Sequence, residues 1–205
     1  MAGGSGDNTG GNSTTIDRVL AGRYRLSSII GVGGMGHVYR ALQLSMEREV
    51  AVKILRPDIC TDLESRDVWI ARFRREVDAL SRLQHPNTVT VHDYGESKDG
   101  ECFIVMELLS GATLGSLQEK GVSLEAKRVI RIARQVARSL AEAHSHGIVH
   151  RDLKPENIFL TSMHGEEDFI KVVDFGIAKI LEGADIASIT SPGLVPGTPA
   201  FMSPE

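Results

Sequence analysis

The sequence has 205 residues, with 23 Lys and Arg against 27 Asp and Glu for a formal net charge of −4, and it is 41% hydrophobic but only 5% aromatic. That length corresponds to one domain, or to one and part of another. The weakly acidic balance lacks the clustered positive charge that nucleic acid or an anionic membrane surface requires, and Cys60 and Cys102 form neither a CxxC nor a Cys/His ligand spacing, so no disulfide framework is expected and a reducing, cytoplasmic setting is.

Residues 1–15, MAGGSGDNTGGNSTT, contain five glycines, one charge at Asp7 and no apolar residue after Ala2. A Gly/Ser/Thr/Asn-rich leader of this kind, extending over 1–22, is expected to be disordered. It has neither the basic start nor the apolar stretch of a signal peptide, and nothing in the sequence approaches the ~18 apolar residues of a membrane span.

From Tyr24 the pattern becomes strand-like: Tyr24 to Ile30, His37 to Leu42 and Glu49 to Leu55, the last alternating Val50, Val52 and Ile54 around Ala51 and Lys53. These three runs predict an antiparallel meander. Ile70, Phe73, Val77 and Leu80 then recur at helical spacing within Asp62 to Leu83, and His85-Pro86-Asn87 ends that helix. Two further strands are expected at Val89 to Asp93 and Cys102 to Glu107, followed by a break at Ser110-Gly111. A long helix is expected over Leu124 to His146, buried along Val129, Ala133, Val136, Leu140 and Ala143. After it come a polar turn at His150 to Asn157, a strand pair at Ile158 to Thr161 and Phe169 to Val173, and a Ser/Thr/Pro/Gly-rich segment. Strands first and helices second point to an α+β fold with two unequal halves.

Several segments carry chemistry. Gly31-Val-Gly33-Gly-Met-Gly36-His-Val38 is a GxGxxG whose backbone N–H groups can approach a phosphate. The strand-like HVYRALQL that follows disfavours a dinucleotide-binding helix, and a ligand-free glycine turn remains the bland alternative. Lys53 in Ala-Val-Lys-Ile-Leu either points to solvent or turns its amine into a cleft; in the second case it needs a carboxylate, for which Glu76 is the candidate and Glu64 a competitor. The turn His150-Arg151-Asp152-Leu-Lys154-Pro-Glu-Asn157 concentrates polar groups that a plain loop would not need. Asp152 can accept a hydroxyl proton, Lys154 can neutralise phosphoryl charge, and Asn157 offers an amide oxygen to a metal. Asp174, in Asp-Phe-Gly after a strand, can supply a second oxygen ligand.

GVGGMGHV, VAVK, the Glu of RFRRE, VMELL, HRDLKPEN, DFG and GTPAFMSPE occur in the order and approximate spacing of the eukaryotic-like protein kinases, and the chain from Tyr24 to Glu205 resembles the bacterial Ser/Thr branch through GxGGMGxVY, DFGIAK and GTPxxMSPE. The resemblance implies a bilobal fold: an ATP-binding N-lobe over 23–107, an antiparallel sheet plus one helix, and an incomplete, mainly helical C-lobe over 108–205. It further implies a protein Ser/Thr kinase that transfers the γ-phosphate of ATP with Mg²⁺. The division of labour is borrowed from that family. By it, Ile30, Gly31, Gly33, Gly36 and Val38 cover the nucleotide, Lys53 holds the α/β-phosphates and pairs with Glu76, and Asp152 takes the substrate proton beside Lys154. Asn157 and Asp174 would carry Mg²⁺. Val38, Ala51 and Phe159 would sandwich the adenine with Met106 behind it, and Glu107 and Leu109 would offer backbone groups at its edge. Leu80, Val91, His150 and Phe175 match the family's apolar column between lobes, which makes His150 structural.

Lys154 with Thr198 resembles the serine/threonine-specific branch. Arg151 resembles kinases whose activation segment is ordered by phosphorylation, with Thr190 as the preferred acceptor and Ser188 and Ser191 beside it. Protein substrates with Ser/Thr acceptors, self-phosphorylation and a kinase dimer are the implied partners. Two departures stand out. Lys53 and Glu76 are 23 residues apart, longer than the family usually shows, so an extended loop is expected over Cys60 to Asp67; and the sequence stops at Ser203-Pro204-Glu205, before the family's later C-lobe helices. A fragment, poorly active or unstable alone, is therefore expected, because several hundred Å² of uncovered apolar surface at ~25 cal/mol per Å² rivals a domain's whole stability. The competing expectation is a nucleotide-binding regulatory fragment without phosphotransfer.

Overall fold

The computed structural model describes residues 17–56, 63–163, 166–175 and 198–201. Its first half is an antiparallel six-stranded sheet in the order β1-β2-β3-β4-β6-β5, built from β1 (Val19–Leu20), β2 (Tyr24–Gly33), β3 (Gly36–Gln43), β4 (Arg48–Leu55), β5 (Val91–Glu96) and β6 (Cys102–Glu107). The helix α1 (Leu63–Ser81) packs against it. The second half holds the short α2 (Leu114–Glu119), the long α3 (Ala126–Ser145) and a three-stranded sheet, β7 (Ala112–Thr113), β8 (Ile158–Met163) and β9 (Glu166–Val172).

Period-two alternation along β4 explains the sheet's two faces. Val50, Val52 and Ile54 join Tyr24, Leu26, Phe103 and Val105 in one buried cluster, while Ala51 and Leu55 join Ile104, Met106, Phe73 and Val77 in the other, under α1. Lys53 belongs to the second set by register, so it faces the α1 side and is only 4% exposed. The solvent-facing alternative for this lysine is thereby ruled out.

The halves are stitched by backbone hydrogen bonds. Residues 87–89 run beside β9, with Val89 N–H donating to the Val172 carbonyl at 3.0 Å and Val172 N–H donating to the Asn87 carbonyl at 2.7 Å. Farther out, Arg128 and Arg131 of α3 both bind the Asp168 carboxylate, and Gln135 donates to the Asp168 carbonyl at 2.9 Å. Asp168 itself sits at φ 64°.

Several expectations are corrected. Residues 17–22 do not belong to the leader: β1 pairs with Tyr24 and Arg25, and Leu20 is 2% exposed in the core. Residues 1–16 lie outside the described residues. On α1 the buried residue in the first turns is Trp69, stacked 5.7 Å from Phe73, whereas Ile70 is half-buried. The helix already begins at Leu63, so the loop expected to reach Asp67 is shorter. On α3 the buried line is Ile132, Val136, Ser139 and Ala143, and Val129 is 47% exposed. The physical reason is that β9 meets that side of the helix, where Ser139 satisfies its hydroxyl against Thr88 at 2.7 Å; apolar spacing alone could not choose between two adjacent faces of a helix with alanines all round. The strand β7 and helix α2 were not expected. Thr113 caps α2 by accepting the Ser116 N–H.

Gly36 closes the β2–β3 hairpin at φ 147°, where an added Cβ would lie 2.0 Å from the Ile54 carbonyl oxygen. The neighbour is backbone of the central strand and cannot step aside. Gly36→Ala is expected to destabilise the protein by about 1–3 kcal/mol, read as a lower denaturation midpoint in urea; an unchanged midpoint would contradict this geometry.

Candidate active site

A cleft of about 640 Å³ separates the β2–β3 hairpin from the second half, and Lys53, Asp152, Lys154, Asn157, Asp174 and Thr198 all line it. The roof is made by Gly31, Gly33 and Gly36, with Gly33 and Gly36 paired across the hairpin. Val38 lies between Gly31 and Lys53 in register and is half-buried. Ile30, next to the roof, is 50% exposed.

At the back of the cleft the Lys53 ammonium donates to Asp174 Oδ1 at 2.8 Å. This pair closes the sheet half onto the residue just beyond β9. Asp174 has φ 60° and Arg151 has φ 67°, two non-glycine residues in the left-handed region on the two segments that carry polar groups into the cleft. Such backbone outliers mark places where side-chain direction is imposed by surrounding structure. Glu76, named from the sequence as the partner of Lys53, stands half-buried on α1. The carboxylate hydrogen-bonded to Lys53 is that of Asp174. Of Glu64 the structure describes no side chain.

Asp152 is held from two sides. Thr198 donates its hydroxyl to Oδ1 at 2.9 Å, Lys154 pairs with Oδ2 at 2.8 Å, and the Lys154 ammonium also donates to the Thr198 hydroxyl at 3.1 Å. Burial alone would raise the Asp152 carboxyl, but the hydrogen bonds and charge of Lys154 and the Thr198 hydroxyl outweigh it and hold it below the usual carboxylate range. The group is therefore ionised and able to accept a proton at neutral pH. Asn157 donates its amide N–H to the Asp152 carbonyl at 2.7 Å, which leaves its amide oxygen as the acceptor that lines the cleft. Asp174 and Asn157 thus present two oxygens. Among the described residues no group of three or more His, Cys, Asp or Glu could hold a metal alone.

His150 is buried beneath this turn. Its Nε2 donates to the Val173 carbonyl at 2.9 Å and its ring lies 4.7 Å from that of Phe175. Burial pushes its pKa down, against the opposing pull of the Val173 carbonyl and of Asp174 and Asp152, so it is a neutral packing residue. Leu80 and Phe175 belong to one apolar cluster with Val91 packed alongside, and His150 reaches it through its ring contact with Phe175.

Of the residues expected around adenine, four share one apolar cluster and Phe159 lies on a separate sheet. Ala51 and Met106 are direct partners across β4 and β6 and are both buried, and Leu109 and Val38 pack against their cluster. Phe159 on β8 faces Thr113 on one side and Lys171 on the other. Glu107 ends β6, with its carboxylate taken by Thr90 N–H and by Lys171, each at 2.7 Å. Lys171 was missed from the sequence, although a lysine inside the apolar run Phe-Ile-Lys-Val-Val is the same signal that singled out Lys53. Thr190, Ser188 and Ser191 lie outside the described residues, and Arg151 is exposed.

Comparison with known proteins agrees with this geometry. The protein kinase domain profile matches residues 24–205. The chain is 45% identical over 191 residues to serine/threonine-protein kinase pkn3 of Myxococcus xanthus, covering 93% of this chain and 34% of that protein. It is 42% identical over 190 residues to serine/threonine-protein kinase PrkC of Bacillus subtilis, covering 93% and 28% respectively. It is 40% identical over 197 residues to serine/threonine-protein kinase PknA of Mycobacterium tuberculosis, covering 94% and 43%. The chain thus spans between 28% and 43% of the length of these relatives. Among solved structures, the crystal structure of the Mycobacterium tuberculosis PknI kinase domain superposes with a TM-score of 0.68 at 32% identity, covering 80% of this chain and 62% of that one. With an antiparallel sheet and one helix above the cleft and two helices with a small sheet below it, the chain belongs to the protein kinase domain family.

Proposed function

We propose that this chain carries the catalytic site of a protein serine/threonine kinase that uses Mg·ATP. The observation that supports it most is the convergence of Lys53, Asp152, Lys154, Asn157 and Asp174 in one cleft under a glycine hairpin. Each is the residue type that phosphoryl transfer requires at that place.

In this reading the hairpin N–H groups cover the phosphates while Ala51, Val38, Met106 and Phe159 hold the adenine ring and the backbone of Glu107 and Leu109 meets its edge. The phosphates attract Lys53, whose present acceptor is Asp174; the displaced Asp174 carboxylate and the Asn157 amide oxygen then have room for Mg²⁺. Two protein oxygens suit that ion, which dehydrates reluctantly and shares its shell with phosphate oxygens and water. When bound, Mg²⁺ neutralises charge on the phosphates. Glu76 takes over the orientation of Lys53 from α1. A substrate Ser or Thr hydroxyl placed at Asp152 gives its proton to that carboxylate as its oxygen forms a bond to the γ-phosphorus, and the bond from that phosphorus to the bridging oxygen of ADP breaks. Lys154 neutralises the transferring phosphoryl group. Thr198 orients Asp152 and Lys154 in this reading, supported by its hydrogen bonds to both. Phosphorylation of Thr190 would pair with Arg151 and order the activation segment, and a second copy of the kinase is the natural donor for it. No helix among the described residues is long and apolar enough to cross a membrane, and the cytoplasm supplies the ATP.

Asp152→Asn in the full-length protein should lower γ-phosphate transfer to itself or to a Ser/Thr substrate by about 10²–10⁴-fold, measured with labelled ATP; equal transfer by the variant and the parent would sink the assignment. The Thr198 hydroxyl helps keep Asp152 ionised, so Thr198→Val raises the pKa of that base. Activity is lost as pH falls through this pKa, and the acid limb of the kcat/KM profile of Thr198→Val should therefore move to higher pH. A limb that stays in place would separate Thr198 from the base. Mass spectrometry of active, autophosphorylated protein should find phosphate between Ser188 and Thr198, and its absence there would remove the activation-segment proposal.

A further inference from the structure

Among the described residues two lysines are buried, Lys53 at 4% exposed and Lys171 at 5%. The first lies in the phosphate end of the cleft. The second has no part in the chemistry described above, yet a buried ammonium is tolerated only where charge and hydrogen bonds replace its water. Lys171 donates to Glu107 Oε1 at 2.7 Å and to the Thr88 carbonyl at 3.2 Å. Three segments meet at this one nitrogen: β9, the stretch leading into β5, and the end of β6.

The surroundings show what the pair holds. Glu107 is clamped a second time, because its Oε1 accepts the Thr90 N–H at 2.7 Å and its own N–H donates to the Thr90 carbonyl at 3.0 Å. Lys171 stands directly across from Phe159 in the β8–β9 ladder. It therefore ties the residue whose backbone meets the adenine edge to the strand pair that carries the adenine floor. Three residues farther along the chain is Asp174. The chain leaving Glu107 reaches this floor through β7, which pairs with β8 by backbone at Ala112 and Thr113; β9 has no such link to Glu107 nearby in the chain, and the ion pair with Lys171 ties the Glu107 side chain to it directly.

We propose that Lys171 is a positioning residue for nucleotide binding: its buried pair with Glu107 fixes the adenine edge relative to the β8–β9 floor, so that ring and phosphates are held at once. This rests on the reading of the cleft as an ATP site. An ion pair that served stability alone would be replaceable by apolar side chains with no loss of adenine affinity, since such replacements of buried pairs are often neutral or stabilising.

The test uses the full-length protein and two probes, adenosine for the ring and Mg·tripolyphosphate for the phosphate end, together with KM for ATP, kcat and thermal unfolding. Lys171→Met should weaken adenosine binding and raise KM for ATP by about tenfold, the order expected for a charged hydrogen bond removed from a buried site. Tripolyphosphate affinity and kcat at saturating ATP should stay within about twofold. Lys171→Met/Glu107→Leu, which removes both charges, should regain the melting temperature but not the adenosine affinity, and Lys171→Arg should restore part of it. Adenosine binding equal to the parent in the double variant would overturn the proposal, as would a raised kcat with unchanged KM, which would make the pair a restraint on turnover. If the parent protein binds neither probe, the ATP-site reading fails and this inference with it; if the parent binds both and the variants bind equally well, only this inference fails.

Discussion

The ion pair between Lys53 and Asp174 is the contact on which the rest of the cleft depends. It joins the middle of the sheet to the end of β9 at 2.8 Å, with the lysine side chain 5% exposed and the carboxylate 33% exposed. An ammonium in that position needs an anion, and a single carboxylate is a partner that a polyphosphate can replace. In the proposed reading the pair marks where a phosphate chain would bind and what its arrival would release, the Asp174 carboxylate in the same cleft as Asn157. Alternation along β4 buries the lysine, and a left-handed backbone turns the aspartate toward it. Both are consequences of local rules applied to residues far apart in the chain.

In the proposed reading three tasks are divided around that pair. The glycine hairpin would cover phosphates with backbone, and Gly36 lets it close against β4, where a Cβ would meet the Ile54 carbonyl. The turn at 150–157 supplies a base kept ionised by Lys154 and Thr198, with His150 beneath it neutral and its ring tilted against that of Phe175. The third task, holding the ring, falls to the end of β6 and the β8–β9 pair, joined by Lys171 and Glu107. Electrostatic preorganisation of this kind, with few covalent steps left to the protein, is what phosphoryl transfer draws on.

Much of this was legible in the sequence because the chemistry is written in short runs. Asp152, Lys154 and Asn157 lie within one turn, and the glycines within one hairpin, so spacing alone brings them together. Lys53 and Asp174 come from opposite halves, and only the family resemblance placed them in one cleft. What the sequence did not disclose depends on packing partners. Trp69 displaces Ile70 from the buried side of α1, and Ser139, a polar residue, lies on the buried side of α3 because Thr88 is there to bond it. The strand β1 was hidden by the polar composition before it, although Leu20 is core. Lys171 looked like any strand lysine until its carboxylate, 64 residues away in the chain, was seen beside it.

The most direct measurement is a crystal structure of the full-length protein with Mn²⁺ in place of Mg²⁺ and a non-hydrolysable ATP analogue. The expected result is an anomalous peak for the metal between Asp174 and Asn157, Lys53 hydrogen-bonded to phosphate oxygens, and the Lys53–Asp174 hydrogen bond opened. A nucleotide bound elsewhere, with Lys53 and Asp174 still joined and no metal between Asp174 and Asn157, would contradict it.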